Sequence, residues 1–590
     1  MSSTLPPGKL DDFREVVLID SEFVAAEGER QLPVALVAQE LRSGRRHELF
    51  FDEAAAHNDN PLPNGDDVLY VAYGAQAEWG TFLSLGWELP THVLDLYAEF
   101  RCITNGFTGS DGCAVSSSLI DALIHYGLDA MTVVHKEAMR NLVLRGHPYT
   151  VSERRDILEY CSDDVAALER LLPVMLRSID LPFALFRGRY SKAVARMEAS
   201  GIPMDVPTLY ELKRNWQTIK QQLILDVEAE HHYGAYEGFS WSDRRFGAFL
   251  ERIGILDEWP RTGSGRLQVD DDLFKTMATR HPVLQPLRDL RSTLVHLRDL
   301  KVTVGSDGRN RCSLMPFRSK TGRNYPPSSK FMFGPSTWLR SLIKPEPDRA
   351  VAYIDWVSAE FGIAAALSGD PRMLSAYESG DVYMAFAIEA GAAPAGATKL
   401  THARQRELYK LTTLAVQYGQ GAAGLATTLG IAHWEAQELL DLHRRVFPTY
   451  WDWIEWNSQR AAFVGTLETV FRWPLRITDR TKPNTISNFP MQAHGAEMLR
   501  WGCTFATERG IEVHAPVQDA LLVGGACDEI DDVVEETCRA MDDASEIVLD
   551  GFALKTESHV VRYPDRYMDK RGVTMWNRVN SMLNLNGVVA

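Results

Sequence analysis

Three aspartates in this chain stand where apolar runs end or are interrupted. Asp20 closes "EVVLID" and is followed by Glu22; Asp355 sits inside "AVAYIDWVSAEFGIAAA" with Glu360 five residues on; Asp519 is embedded in "IEVHAPVQDALLVGG". A carboxylate at the end of a buried strand loses its hydration, and an unpaired charge there is costly. A divalent metal removes the problem. Two metals about 4 Å apart, held by carboxylates from separate strands, can activate an attacking oxygen and stabilise a leaving one in phosphoryl transfer. Each acid taken singly is more often a strand-end or helix-cap residue. The constellation, not any one acid, carries the chemistry.

Other residues fall at spacings that suit the same chemistry. Asp20 and Glu22 lie two apart, so on one strand both side chains point to one face. In "ILEYCSDDVAAL" Tyr160 precedes Asp164 by four, which stacks them on one helix face. In "RQRELYKLTTLAVQYGQGA" Arg406, Lys410, Leu414 and Tyr418 recur every fourth residue and trace a drifting stripe on one helix. By itself that stripe is also compatible with an amphipathic helix carrying two solvated cations.

The elements that must position these residues divide the chain. At 590 residues it is too long for one hydrophobic core, and several domains of roughly 100 to 200 residues are expected. Residues 15 to 175 alternate short β-type runs with longer helical stretches such as 151 to 172, which reads as an α/β unit. A basic and aromatic stretch, "LPFALFRGRYSKA", marks a boundary around 176 to 190. From 190 to 300 the period is mainly helical, broken by the turn-rich "EWPRTGSGRLQVDDD"; 305 to 347 is loop-rich; a strand and a helix after 350 lead into a helical region at 370 to 464. Strand-like pieces return at 467 to 478 and 511 to 525.

Composition narrows the class. With 45% hydrophobic and 24% charged residues this reads as an ordinary folded protein. No charge-free apolar run approaches a membrane span, and the start "MSSTLPPGKLDDFRE" lacks a signal-peptide core, so a cytoplasmic location with no membrane partner is expected. The seven cysteines (Cys102, Cys113, Cys161, Cys312, Cys503, Cys527, Cys538) are odd in number and form no CxxC pair, which predicts reduced thiols rather than a zinc site. The formal charge of −17 argues against a polyanion partner, but it is segregated. Between 285 and 344 twelve basic residues stand against three acids, whereas 528 to 550 holds ten acids against Arg539. The basic stretch is either a stripe that tracks a polyanion or a chance run on a solvated face.

Taken in order, these motifs resemble two known modules. DxE (Asp20, Glu22), a mid-domain acid and YxxxD (Tyr160, Asp164) resemble the signature of the DEDDy 3′–5′ exonucleases. In that family four acids hold two metals and the tyrosine orients the attacking water. The third acid is Glu78, in "AYGAQAEWGTF" with Gly74 where the family has Asn, or else Asp95 in "HVLDLYAEF". The second half resembles the polymerase module of DNA polymerase I-type (family A) enzymes. "YIDWVSAEFGIAAALSGD" looks like motif A, which implies Asp355 as a ligand of both metals and Glu360 as the filter against a ribose 2′-hydroxyl. The helix of Arg406 and Lys410 looks like motif B, its cations gripping the triphosphate and Tyr418 beside the templating base; Leu414 stands where the family has Phe or Tyr. "HAPVQDALLVGG" looks like motif C, with Asp519 as the second ligand and Gln518 and Ala520 in place of the usual His and Glu. "SKTGRNYP" and "ISNFPMQAHGAEML" resemble DNA-contacting elements, giving Arg323, Asn488 and Gln492 with Gln518.

The resemblance implies an α/β plus α+β multidomain protein. An RNase H-like exonuclease domain at 1–180 would precede a right-hand polymerase domain at 181–590, with thumb at about 190–305, palm at 306–370 and 465–590, and fingers at 371–464. It further implies DNA synthesis with proofreading, two Mg²⁺ per site with Mn²⁺ able to substitute, primer-template DNA and dNTPs as partners, replisome or processivity partners, and a monomer. A 5′-nuclease domain has no room, and the compact length points to a phage or mobile element. A single-subunit RNA polymerase relative and a DNA-binding scaffold with decayed sites are the alternatives.

Overall fold

The computed structural model describes residues 8–51, 59–108, 115–130, 133–298 and 301–587. Cys113 and Asp299 therefore lie outside the described residues, as does the side chain of Arg298. The remaining six cysteines are free thiols, and among the described residues no helix is long and apolar enough to cross a membrane.

The first apolar runs build a five-stranded sheet in the order β3-β2-β1-β4-β5. β1 (Glu15–Val24) pairs antiparallel with β2 (Leu32–Glu40), which pairs antiparallel with β3 (Arg46–Phe50); β4 (Val68–Ala72) runs parallel to β1, and β5 (His92–Asp95) parallel to β4. Both faces are covered, which is why the strands are nearly continuous in apolar residues. The helices of this half are α1 (Gln76–Leu85), α2 (Leu96–Thr104), α3 (Leu119–His125), α4 (Val133–Arg145), α5 (Val151–Met175) and α6 (Leu181–Ser200). Val17 and Ile19 point to the face of α1, packing with Trp79 and Phe82. Val16 and Leu18 point to the face of α5, packing with Cys161, Val165 and Leu168. Strand alternation then sends Asp20 and Glu22 to the α5 face.

Helix α6 belongs to both halves of the chain. On one side Gly188 sits so close to β5 that a Cβ there would lie 1.9 Å from the Val93 carbonyl oxygen. Arg187 forms a buried fork with Glu99 of α2, Nε to Oε1 at 2.6 Å and Nη2 to Oε2 at 2.8 Å, and also donates to the Phe471 carbonyl. On the other side Arg189 pairs with Glu508 at 2.6 Å and the Tyr190 hydroxyl accepts from Asn324. The basic and aromatic stretch read as a boundary thus forms a helix that contacts both halves.

A helical segment follows, with α7 (Val206–Arg214), α8 (Trp216–His231), α9 (Asp243–Arg252), α10 (Asp271–Arg280) and α11 (Gln285–Arg298). A second sheet has the order β7-β8-β6-β9, all antiparallel, from β6 (Arg349–Trp356), β7 (Glu512–Val517), β8 (Ala520–Ala526) and β9 (Thr556–Arg562). Between β6 and β7 the chain makes α12 (Ala359–Ser368), α13 (Pro371–Glu378), α14 (Val382–Glu389), α15 (Ala403–Gln417), α16 (Ala422–Leu429), α17 (His433–Val446), α18 (Pro448–Val464) and α19 (Pro483–Glu508). The acidic stretch at 528 to 550 forms α20 (Ile530–Val548), which packs its apolar side on α19 and the sheet and turns its acids outward.

Candidate active sites

The first site lies where β1 passes α5. One carboxylate oxygen each from Asp20, Glu22 and Asp164 lie within 4.8 Å of one another. The Asp20 Oδ2 and the Glu78 Oε2 are shut off from solvent with no hydrogen-bond partner. Burial pushes the Asp20, Glu22 and Glu78 carboxyls up, and their mutual repulsion adds to it; Asp20 is also repelled by Asp164. Burial raises Asp164 as well, offset by Lys136, whose Nζ lies 2.8 Å from its Oδ2. Tyr160, one turn before Asp164, is buried beside the same acids, and its hydroxyl is pushed well above the ordinary tyrosine range. Converging acids with orphaned oxygens are the donor set that a divalent cation fits.

Asp95 does not join this cluster. Its oxygens accept from the backbone N–H groups of Gly74, Ala75, Tyr97 and Ala98, so its carboxylate is consumed as the cap of α2. Of the two candidates for the third acid, Glu78 on α1 is the one that faces Asp20.

The second site sits at the edge of the second sheet. Asp355 is the register partner of Ala520, and the N–H of Trp356 donates to the Asp519 carbonyl, so the two aspartates are neighbours although 164 positions apart. Asp519 occupies a two-residue hairpin between β7 and β8 in which Gln518 takes φ = 59°, a left-handed conformation costly for a residue with a Cβ. Ser358, between β6 and α12, also has positive φ, at 50°, and this sharp elbow swings Glu360 toward the same edge. Burial first, then Asp519 and Glu557, raise the Asp355 carboxyl to about 7. Burial raises Asp519 too, against the opposing pull of Arg323.

Glu360 is held from two sides. Its Oε1 accepts from the Tyr418 hydroxyl at 3.0 Å and from Gln492 Nε2 of α19. Tyr418 caps the carboxy terminus of α15, whose stripe carries Arg406, Lys410 and the half-buried Leu414. Arg406 pairs with Asp381 at 2.7 Å and stacks over the Tyr383 ring; Lys410 makes only a loose 3.8 Å contact with Glu407. Asn488 lies half-buried on the first turns of α19, and Gln518 is exposed on its hairpin. Arg323 reaches across to Gly495 of α19 and leaves its Nε buried and unpartnered.

Part of the basic stretch is taken up by internal ion pairs and ring contacts. Arg309 pairs with Glu346 and Glu512, Arg311 with Asp307, Lys330 with Glu27, and Arg340 with Asp569, while Arg291 lies 3.9 Å over Trp241. Acids from distant segments thus neutralise Arg309, Lys330 and Arg340, and Asp307 neutralises Arg311 from four residues away. Three residues at the sites were not singled out in the sequence. Lys136 on α4 touches Asp164. Glu557 is the direct cross-strand partner of Asp355 and supplies a carboxylate from β9 beside the position where Ala520 carries none. Tyr383 lies under Arg406. A cation pair in "HKEAMR" and an acid in a polar strand such as "TESHVV" give no signal until the fold places them.

Two aspartates meeting at the edge of a four-stranded antiparallel sheet, with Glu360 held beside them by Tyr418 and Gln492, are the arrangement of a polymerase-type fold. The chain belongs to DNA polymerase family A: the model of that family matches residues 249–560, more than half of the chain. It is similar to DNA polymerase I of Aquifex aeolicus (24% identical over 441 residues, 68% of this chain and 74% of that protein). It is also similar to DNA polymerase I of Synechocystis sp. (26% over 319 residues), where the match spans 51% of this chain and 30% of that protein. The DNA polymerase of Mycobacterium phage L5 is 25% identical over 289 residues, 48% of this chain and 45% of its own length. Among solved structures, the polymerase domain of Pol1 from M. smegmatis, in complex with DNA primer-template and dNTP, has the same fold: TM-score 0.68, 19% identity, 97% of this chain and 99% of that one.

Proposed function

We propose that this chain extends a primer on a DNA template from deoxynucleoside triphosphates and trims mispaired 3′ ends at a second site. In this reading residues 1–180 are the exonuclease domain, and the strand order 3-2-1-4-5 with an antiparallel second strand supports an RNase H-like fold. Residues 181–590 are the polymerase, with α7 to α11 in the thumb, the second sheet in the palm and α13 to α18 in the fingers. The observation that carries the reading is the meeting of Asp355 and Asp519 in adjacent register, with Glu360 held beside them by Tyr418 at the end of α15.

Asp355 and Asp519 would hold Mg²⁺ in the palm, and Asp20, Glu22, Asp164 and Glu78 would hold it in the exonuclease site. Bound there, divalent ions supply charge neutralisation at the reacting phosphate. The protein's own part is placement. Arg406 and Lys410 bind the triphosphate as fork and point charge while the primer 3′-hydroxyl oxygen bonds to the α-phosphorus, its proton passes to solvent, and the bond from the α-phosphorus to the bridging oxygen breaks to release pyrophosphate. Tyr418 and Gln492 fix the Glu360 carboxylate where a ribose 2′-hydroxyl would collide with it. In this reading Arg323, Asn488, Gln492 and Gln518 contact the primer-template duplex. Asp381 must release Arg406 for the nucleotide, so the ion pair is a resting arrangement.

The test is primer extension with Mg²⁺, comparing dNTPs with rNTPs on purified monomer. Rapid dNTP incorporation is expected. Equal use of rNTPs would favour an RNA polymerase relative, and DNA binding without incorporation would favour a scaffold with decayed sites.

A further inference from the structure

Helix α4 introduces a cation into the acid cluster that the two-metal scheme does not call for. Lys136 Nζ lies 2.8 Å from Asp164 Oδ2 and 5.8 Å from the centre of the Tyr160 ring, so it sits between the acid and the aromatic of that site. Its field also acts on Asp20 and Glu22. One turn further on, Arg140 acts on Glu22 and lines a cavity of about 570 Å³ walled by Phe23, Gln76 and Ala77 from one half of the chain and by Met315 and Pro327 from the other. The two cations are four apart on α4, so they share a face, the one turned to the acids and the cavity.

An ammonium has three donors and no acceptor, so Lys136 cannot be a metal ligand. It competes with a cation for Asp164 Oδ2. When a divalent ion takes that oxygen the ammonium must go elsewhere, and a four-carbon stem that is 30% exposed leaves it free to turn. The anionic group that enters this site with a substrate is a phosphodiester.

We propose that Lys136 is a catalytic residue of the exonuclease site, serving as counter-ion to the acids in the ion-free protein and contacting a non-bridging oxygen of the scissile phosphate once substrate is bound. Arg140 holds the next phosphate of the single strand, at the mouth of the cavity. The inference rests on the exonuclease reading above. In the step, a water oxygen bonds to phosphorus and the bond from phosphorus to the 3′-oxygen of the penultimate nucleotide breaks. Water gives its proton to solvent, the departing 3′-oxygen takes one, and a nucleoside 5′-monophosphate leaves. Negative charge grows on the non-bridging oxygens, and a preplaced cation there acts only on the transition state.

Lys136→Met, Lys136→Arg and Asp20→Ala are compared with wild type on a single-stranded oligodeoxynucleotide, with Mn²⁺ binding followed by electron paramagnetic resonance in the absence of DNA. Lys136→Met is expected to lower kcat for digestion by about 100-fold with a smaller change in KM, and Lys136→Arg to restore part of it. Mn²⁺ should bind more tightly to Lys136→Met, because a competitor for Asp164 has gone, and primer extension should not change. Digestion by Lys136→Met within about twofold of wild type, or weaker Mn²⁺ binding, would overturn the proposal. If Asp20→Ala digests as fast as wild type, the exonuclease reading itself fails and takes the lysine with it; if Asp20→Ala is inactive and Lys136→Met is not, only the lysine fails.

Discussion

Carboxylates gathered within 4.8 Å of one another are a burden on the ion-free fold. The Asp20 carboxyl is raised by burial and by its neighbours, so between its ordinary value near 4 and its folded value the native state binds more protons than the unfolded chain. Ion-free stability therefore falls as pH rises through that window. Asp20→Asn removes the charge, and in the presence of a chelator at alkaline pH it is expected to stabilise the protein by about 1–3 kcal/mol while abolishing 3′ digestion. Thermal melting with and without Mg²⁺ checks this; a less stable variant would mean that the acid is already paired. Asp355, raised to about 7, makes a second prediction in the palm. Below that pH a proton must be displaced before a metal ion binds, so the Mg²⁺ concentration for half-maximal extension should climb as pH falls from about 8 to about 6. A flat profile would show that Asp355 is ionised throughout.

Elements convert these residues into sites. The elbow at Ser358 joins β6 to α12 and sets Glu360 in the first turn of that helix, and α15 and α19 then clamp it through Tyr418 and Gln492. Glu360→Ala is expected to raise rNTP incorporation by about tenfold or more relative to dNTP, read as a ratio of kcat/KM values. Helix α6 matters in a different way, because it carries no candidate catalytic residue and yet joins both sheets. The Arg187–Glu99 pair is nearly water-free, the side chains being 6% and 2% exposed. Replacing one partner leaves the other charge buried alone, so Arg187→Ala should cost about 3–5 kcal/mol in urea unfolding. Unchanged stability would indicate that Glu99 takes up a proton without penalty.

At the scale of the whole molecule, two acid sites stand on two separate sheets with one helix between them. Their independence is testable. Asp519→Ala should abolish primer extension and leave digestion of a 3′ end intact, and Asp20→Ala should do the reverse; equal loss of both activities in either variant would refute two sites. The charge distribution is also a property of the whole. The cations at 285 to 344 read either as a track for a polyanion or as a solvated run, and Glu27, Glu346, Glu512 and Asp569 arrive from distant segments to pair with three of them, Arg309, Lys330 and Arg340.

Much of the plan was legible because it is written in local periods. Alternation in β1 settles that Asp20 and Glu22 share a face, the fourfold spacing on α5 and α15 settles which side chains stack, and an apolar run ending in an acid marks a strand edge. Those rules depend only on the geometry of one strand or one helix. They say nothing about which elements meet. Glu78 rather than Asp95 faces the acid cluster because backbone N–H groups at the start of α2 and in the 74–75 turn claim Asp95 first. Glu557 and Lys136 reach their sites only through strand pairing and helix packing. Long-range neighbours set desolvation and field, and those decide whether a charge pairs internally or is left for a ligand.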